Sequence, residues 1–571
     1  MSEAMRLYGT EVPDMAAERI TLGALSFTLQ NGALRHIRLG DQELVRSVAF
    51  LVRDRDWGTL APVLTEVSRE VGAALRLRME AVYETGTARL DVDLLVTAEA
   101  GRLRFEASGR VQGDFETNRA GFTVLHPASA AGAPVRVRHS DGRDEQSAFP
   151  ELIAPWQPFM DITELTHRAG GLDVRCAFEG DTFEMEDQRQ WGDASFKTYN
   201  RPLALPWPYT LEDGAVLRQA VDLTWSDAES RFEPMPPESV AGATFPEMAL
   251  VVTAEEARAL AVDPEALVLA GPQRVLCSLD TALGDTAGQL AAFAALQARG
   301  LGMALDLELI AVFDGPPGAV LGNLADEMAQ AGFVPDSVLV CPSVDRQSTP
   351  PGSDWPECPP LEEIHAAAAA AFPDLPRGGG MVSFFPELNR KRPPVDRLDF
   401  VSHGLCPIVH AADDVSVMET LEAIPHITRS ARAILKGTPY RIGPSTIAMR
   451  HNPYGSRTIP NPEQGRVCMS DDDPRHRGAF GAAYVIGLAA ALAPADVTVW
   501  TPAAVLGPRG LDEDWPIGDA LLVLADLAGQ PVEHASVNDG LARLTVGGTT
   551  LTANLTASGR EGLGPYEWSV T

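Results

Sequence analysis

Residues 274–310 read RVLCSLDTALGDTAGQLAAFAALQARGLGMALDLELI. The apolar run Arg274 to Asp280 has the length of a strand, the Ala-rich stretch Thr286 to Arg299 that of a helix, and Met303 to Ile310 that of a second strand. Strand, helix and strand with short connections is the grammar of a parallel sheet with helices packed on its face. The pattern continues toward the C-terminus. Strands are expected at Ser337 to Ser343, Met381 to Leu388, Phe400 to Val409, Tyr440 to Ile447 and Val497 to Thr501. Helices are expected at Leu321 to Gly332, Leu361 to Phe372, Val415 to Leu435 and Arg477 to Leu492. These make seven strands, and a (β/α)8 TIM-like barrel needs one more, which either Met248 to Val252 or Ala266 to Leu269 could supply.

Toward the N-terminus the grammar changes at the Pro-rich link Phe232-Glu233-Pro234-Met235-Pro236-Pro237. Before it, Leu75, Leu77 and Met79 alternate with Arg76, Arg78 and Glu80, and Leu90, Val92 and Leu94 alternate with Asp91 and Asp93. A period of two means strands with one wet face, so residues 1–240 read as an antiparallel β-sandwich and 241–510 as the barrel. Beyond the barrel, a helix at Ile517 to Leu527 precedes two alternating runs joined by Gly547-Gly548, a hairpin signature. Residues 511–571 are therefore expected to form a small C-terminal β-domain. The fold class is multidomain α/β plus β, in keeping with 571 residues at roughly 150 per domain.

Lys and Arg number 46 against 78 Asp and Glu, a net charge of −32, and phosphate backbones and anionic lipid surfaces both reward clustered cations. Neither a nucleic acid nor a membrane is expected as a partner. The six cysteines form no CxxC pair, and the start MSEAMRLYGTEVPD lacks the basic and apolar regions of a secretory signal. Free thiols and a cytoplasmic location are the expectation. The longest uncharged stretch, Gly478 to Ala495, is Ala- and Gly-rich and holds Pro494, so a buried helix is expected there.

No GxSxG elbow, HExxH, Walker loop or strand-borne GxGxxG occurs, so no cofactor is expected. Reacting groups of a barrel project from C-terminal strand ends and the loops after them. One such segment, Phe384 to Arg392, puts Glu387 and Asn389 at the rim beside Arg390. Glu387 could act as general acid or base, or pair with Arg390 or Arg392 as a structural salt bridge. The next segment carries His403, His410, Asp413 and Asp414, followed by Ser416 and Glu419. One of the two aspartates is expected to cap the following helix, and His410 is the favoured general base, ahead of His403. In the N-terminal part the densest polar run is Glu184 to Tyr199. Asp187, Arg189, Trp191 and Lys197 there could line a sugar-binding edge or form a salt-bridge network between the domains.

Asn118-Arg119-Ala120-Gly121-Phe122 through His126-Pro127, Phe183 to Tyr199, Pro386-Glu387-Leu388-Asn389-Arg390 and His410-Ala411-Ala412-Asp413-Asp414 through Met418-Glu419-Thr420 together resemble the D-apionate lactonases, in order and over essentially the whole chain. The resemblance implies hydrolysis of a small-molecule sugar lactone, D-apionolactone, to D-apionate in bacterial catabolism of apiose. It brings no residue roles with it. Strand-end placement assigns catalysis to Glu387 and His410, with Asn389, Arg390, His403, Asp413, Asp414, Glu419, Asp187, Arg189 and Lys197 as substrate-binding candidates and no metal. A metal-dependent variant would use His403, His410 and Asp413. The alternatives are a glycoside hydrolase with Glu387 as acid and a non-catalytic carbohydrate-binding protein.

Overall fold

Along Leu75–Thr85, Leu75, Leu77, Met79 and Ala81 are buried while Arg76, Arg78 and Glu80 face solvent, and the paired strand Ala88–Glu99 repeats the alternation. Nine such antiparallel strands make one sheet of the N-terminal sandwich. The other sheet has seven, in the spatial order Ala17–Leu22, Leu25–Gln30, Ala33–Leu39, Gln42–Arg53, Arg119–Pro127, Ser195–Tyr199 and Glu184–Asp187. The computed structural model describes residues 2–571 except Asp56, Thr87 and Ser456. Period two assigns the two faces of the seven-stranded sheet. Phe122, Val124, Met185 and Phe196 point into the sandwich core, where Phe122 meets Phe105 edge-on at 5.0 Å. Arg119, Glu186, Lys197 and Tyr199 alternate with them and point the other way, over the barrel.

Eight parallel strands close the barrel: Glu247–Val252, Arg274–Asp280, Ala304–Ala311, Ser337–Pro342, Arg377–Phe384, Phe400–Gly404, Tyr440–Ile442 and Val497–Ala504, the first pairing with the last. Glu247–Val252 is the strand that the sequence left between two places. Ala266–Leu269 instead lies in the helix Glu265–Ala270, where Leu267 and Ala270 are buried at helical spacing while Val268 and Leu269 are exposed. The run expected as a strand to Leu388 stops at Phe384. Pro386 in the first turn suits a helix start, so Phe385–Lys391 is helical and carries Glu387 and Asn389. The helix expected over 415–435 is broken into Asp414–Glu419, a 3-10 turn at Thr420–Glu422 and Ile424–Leu435. Pro425, lacking an N–H, starts the last piece.

Inside the barrel, toward the N-terminal strand ends, Asp306 receives bonds from Arg274 at 2.6 and 2.8 Å, and Arg441 lies 3.4 Å away. The cavity beside them is about 20 Å³, room for about one water. A 460 Å³ hollow lined by Glu247, Arg274, Asp399 and Arg441 opens at those same N-terminal ends, the side of a barrel associated with stability.

The C-terminal sheet consists of Val532–Asn538, Leu541–Val546, Thr549–Asn554 and Trp568–Val570. Gly547 and Gly548 turn its central hairpin with φ of 56° and 84°, a left-handed conformation that glycine adopts without strain. The helix Ala479–Leu492, inside the uncharged stretch, is buried at every residue from Phe480 onward. It sits between the barrel and this sheet, and a Cβ on Gly487 would meet Leu555 at 3.2 Å and Leu421 at 2.6 Å. Among the described residues, no helix is long and apolar enough to cross a membrane.

Candidate active site

The throat of the barrel is filled with ion pairs. Glu308, on the third strand and 1% exposed, accepts both arms of Arg450 at 2.6 and 3.0 Å and the hydroxyl of Ser278 at 2.8 Å. Asp280 pairs with Arg346 and Asp345 with Lys391. Groups with unspent chemistry lie above this plug, where the C-terminal loops meet the outward face of the seven-stranded sheet.

His410, on the loop after Phe400–Gly404, is at the centre of this interface. Its Nδ1 lies 2.7 Å from Asp193 Oδ2 and its Nε2 lies 3.1 Å from the Tyr454 hydroxyl. A carboxylate only accepts, so the ring hydrogen belongs on Nδ1 and the lone pair on Nε2. Gln188 Nε2 is 3.3 Å from the same Nδ1, and the Trp191 ring meets the imidazole edge-on at 5.7 Å. Trp191 Nε1 donates to Glu186 Oε1 at 3.0 Å, and Lys197 reaches Glu186 Oε2 at 2.6 Å. Burial alone would raise the Glu186 carboxyl, but Lys197, His410 and Trp191 hold it down to about 2. Burial likewise lowers Lys197, with Glu186 opposing the shift. The Tyr454 phenol is pushed well up by burial and by Glu186, although the residue stays 37% exposed.

Glu387 occupies a second corner of the rim. Its Oε1 accepts from Ser348 Oγ at 2.6 Å, Arg390 Nη1 at 3.0 Å and the Thr349 amide at 3.3 Å. The carboxyl is 3% exposed, and burial raises its pKa despite Arg390. Ser348 N donates to Pro453 O at 2.8 Å, which ties this corner to Tyr454. Arg390 is spent on Pro155 O, Ser348, Thr349 O and Glu387, and stacks over Trp156. Asn389 donates to Ile153 O at 3.0 Å and so clamps the sandwich to the barrel.

The remaining candidates lie elsewhere. Strand alternation turns Ser402 into the barrel and His403 outward, where its ring contacts Tyr440 OH at 2.7 Å and Gly404 O in a fully buried layer. Asp413 caps the following helix through Ser416 N and pairs with Arg35 at 2.7 Å. Asp414 is held by Arg466 and Arg475, and Glu419 by Arg35, Arg46 and His36. Asp187 and Arg189 form a fully buried pair at 2.7 Å, and Arg189 also lies 2.9 Å from His426 Nδ1. These groups join the sandwich to the barrel or brace the loops. Of the N-terminal candidates, Trp191 contacts His410 directly and Lys197 is linked to it through Glu186 and Trp191.

Asp193 and Glu186 fall inside the polar run that the sequence singles out, but Tyr454 lies in a long loop without a motif. Glu308 had a readable signal, since acids alternating with leucines in Ala304–Ala311 must point into the barrel. His403, His410 and Asp413 do not converge on a common point. Among the described residues, His126, His167 and Cys176 bring donor atoms within 4.8 Å of one another, in the sandwich core.

Two family models cover most of the chain. One described as "D-apionate lactonase, N-terminal domain" matches residues 5–228, and one described as "D-apionate lactonase, TIM barrel domain" matches residues 248–543. A curated D-apionate lactonase from Brucella anthropi is 44% identical over 526 residues, covering 88% of this chain and 85% of that protein. Among solved structures, a putative aldose 1-epimerase from Escherichia coli K12 is similar over 37% of this chain and 99% of its own, at 13% identity and a TM-score of 0.28. A GH36 α-galactosidase from Geobacillus stearothermophilus is similar over 94% of this chain and 91% of its own, at 11% identity and a TM-score of 0.28.

Proposed function

Because the chain belongs to the D-apionate lactonase family, we propose that it opens the ring of D-apionolactone with water, giving D-apionate, at the crevice around His410. The observation that carries this reading is the linked row Asp193, His410 and Tyr454 at the rim, beside Trp191. Asp193 holds the imidazole with Nε2 unprotonated, so this nitrogen takes a proton from the attacking water. The Tyr454 hydroxyl, displaced from Nε2 by that water, donates to the carbonyl oxygen as it becomes an oxyanion. Glu387, whose raised pKa keeps its proton more readily than a surface carboxylate, delivers it to the departing ring alkoxide. Trp191, itself buried, backs the His410 imidazole and the Tyr454 ring and so holds the pair in place. Arg390 and Asn389 position Glu387 and the segment 153–155.

The test is acid release on adding D-apionolactone to the purified protein, with aldono-1,4-lactones and an aryl glycoside as comparators. Selective opening of the apiose-derived lactone, lost in His410→Ala with the fold intact, is the expected result. Turnover of the glycoside alone would overturn the substrate class. Full activity in His410→Ala would overturn the mechanism.

A further inference from the structure

Arg119 is an arginine in an unusual state. It is 5% exposed, yet its guanidinium forms no hydrogen bond or ion pair with any described residue, and its Nε is sealed from water without a partner. It lies over the Tyr199 ring at 4.0 Å, with the Trp57 ring at 5.5 Å. A guanidinium withdrawn from water without an acceptor is costly. Its planar fork is also the side chain best matched to a carboxylate.

Arg119 is not alone. Arg53 faces it across the paired strands and, among the described residues, its side chain donates only to Trp57 O and Thr59 Oγ1, while the Arg119 charge helps lower the pKa of Arg53. Lys197 is close enough for both arginines to lower its pKa. The nearby carboxylates are already engaged: Glu186 by Lys197 and Trp191, Glu184 by the Tyr199 hydroxyl and Leu203 N, and Asp54 by Gly58 N. Neither Arg53 nor Arg119 is ion-paired with a carboxylate of the described residues. Arg119 and Lys197 both lie over the Tyr199 ring, and Lys197 pairs with Glu186, which accepts from the Trp191 that packs on His410, so contacts run from this cationic floor to the His410 site.

We infer that Arg119, flanked by Arg53 and Lys197, is a subsite for the carboxylate of an open-chain sugar acid, formed on the sandwich face and opposite the barrel groups that attack the ring. This rests on the lactonase reading. A lactone is neutral and its hydrolysis product is an anion, so the subsite distinguishes the two. It favours the opened form, and it makes the product a competitive inhibitor whose affinity depends on Arg119 far more than does that of the substrate.

The experiment is titration of the full-length protein with sodium D-apionate, followed calorimetrically and as competitive inhibition of lactone hydrolysis, with neutral D-apiose as the control for hydroxyl recognition. In Arg119→Met the inhibition constant for D-apionate is expected to rise about tenfold to a hundredfold, the loss typical of a charge-assisted bond. The KM for the lactone should change by less than about threefold, since a neutral substrate gains little from that charge. Arg53→Met should shift the same constant in the same direction and to a smaller degree, which keeps the idea testable if Arg119→Met fails to fold. Binding of D-apionate unchanged in both variants would overturn the subsite, as would equal losses for D-apionate and D-apiose. A protein that binds D-apionate through Arg119 but hydrolyses no lactone would sink the proposed reaction and leave the subsite standing.

Discussion

Asp193→Asn tests the mechanism most directly, because it changes one atom type and leaves the shape of the loop alone. The carboxylate accepts from His410 Nδ1 at 2.7 Å, with side-chain exposures of 19% for Asp193 and 14% for His410. A charge-assisted hydrogen bond in that half-sheltered setting contributes about 1.5–3 kcal/mol, or about tenfold to 150-fold in rate if it is strengthened as the imidazole becomes charged. The amide has a second effect. Its NH2 can donate to Nδ1, which moves the ring hydrogen to Nε2, where it blocks the lone pair that must receive the proton from water. Together these effects put the loss in kcat at about 10²–10⁴-fold, the scale seen when a general base is held in the wrong tautomer. Steady-state acid release from D-apionolactone gives kcat and KM, and thermal melting checks the fold. A kcat within threefold of the wild type, in a protein with an unchanged melting curve, would refute the assignment of His410 as base.

Replacing His403 with alanine removes a ring packed against Phe385 and bonded to Tyr440 in the outer layer of the barrel, so unfolding in denaturant should show a loss of about 2–4 kcal/mol while kcat stays within about threefold. Glu419→Ala strips the shared acceptor from Arg35, Arg46 and His36; the loss should lie at the lower end of the about 3–5 kcal/mol of a broken buried pair, and hydrogen exchange should rise at the sandwich–barrel contact. Glu186 goes from 4.5 when unfolded to about 2 when folded, so its contribution to stability is fully present above the unfolded value and is lost as pH falls toward about 2. Melting temperatures measured across that window should therefore fall less steeply in Glu186→Gln than in the wild type, and identical slopes would refute the pairing with Lys197. Glu387 is shifted the other way by burial. The folded state keeps its proton to higher pH than the unfolded chain, so this residue's contribution declines as pH rises above 4.5, and Glu387→Gln should remove that decline while reducing kcat.

The repeating strand and helix lengths carried the barrel, because a strand buried on both faces and a helix packed over it differ in length and in Ala content. Boundaries were harder to read. Phe384 to Leu388 stays apolar enough to prolong a strand, and only the position of Pro386 in a first helical turn marks the change. In the site, His410 and Glu387 were legible because each follows a strand closely. Tyr454 and Arg119 were not, since their significance depends on tertiary contact: a tyrosine brought to an imidazole 44 residues away in sequence, and an arginine with no acid opposite it. Asp413, Asp414 and Glu419 have the residue types of a binding cluster, yet each meets an arginine from another part of the chain. Charge type alone does not tell a ligand-binding carboxylate from one that docks a domain.

The all-round buried helix Ala479–Leu492 has a bearing on how the protein is made. Its outer side is covered by the strands Val532–Asn538, Leu541–Val546 and Thr549–Asn554, so a ribosome that has released the entire barrel still holds the lid for this apolar surface. Until residues 532–554 emerge, the nascent barrel presents that surface to solvent or to a chaperone. A stop codon or frameshift before Val532 should therefore yield aggregation and proteolysis of the whole chain, and domain-swapping designs need to treat the barrel and this sheet as one inheritable unit.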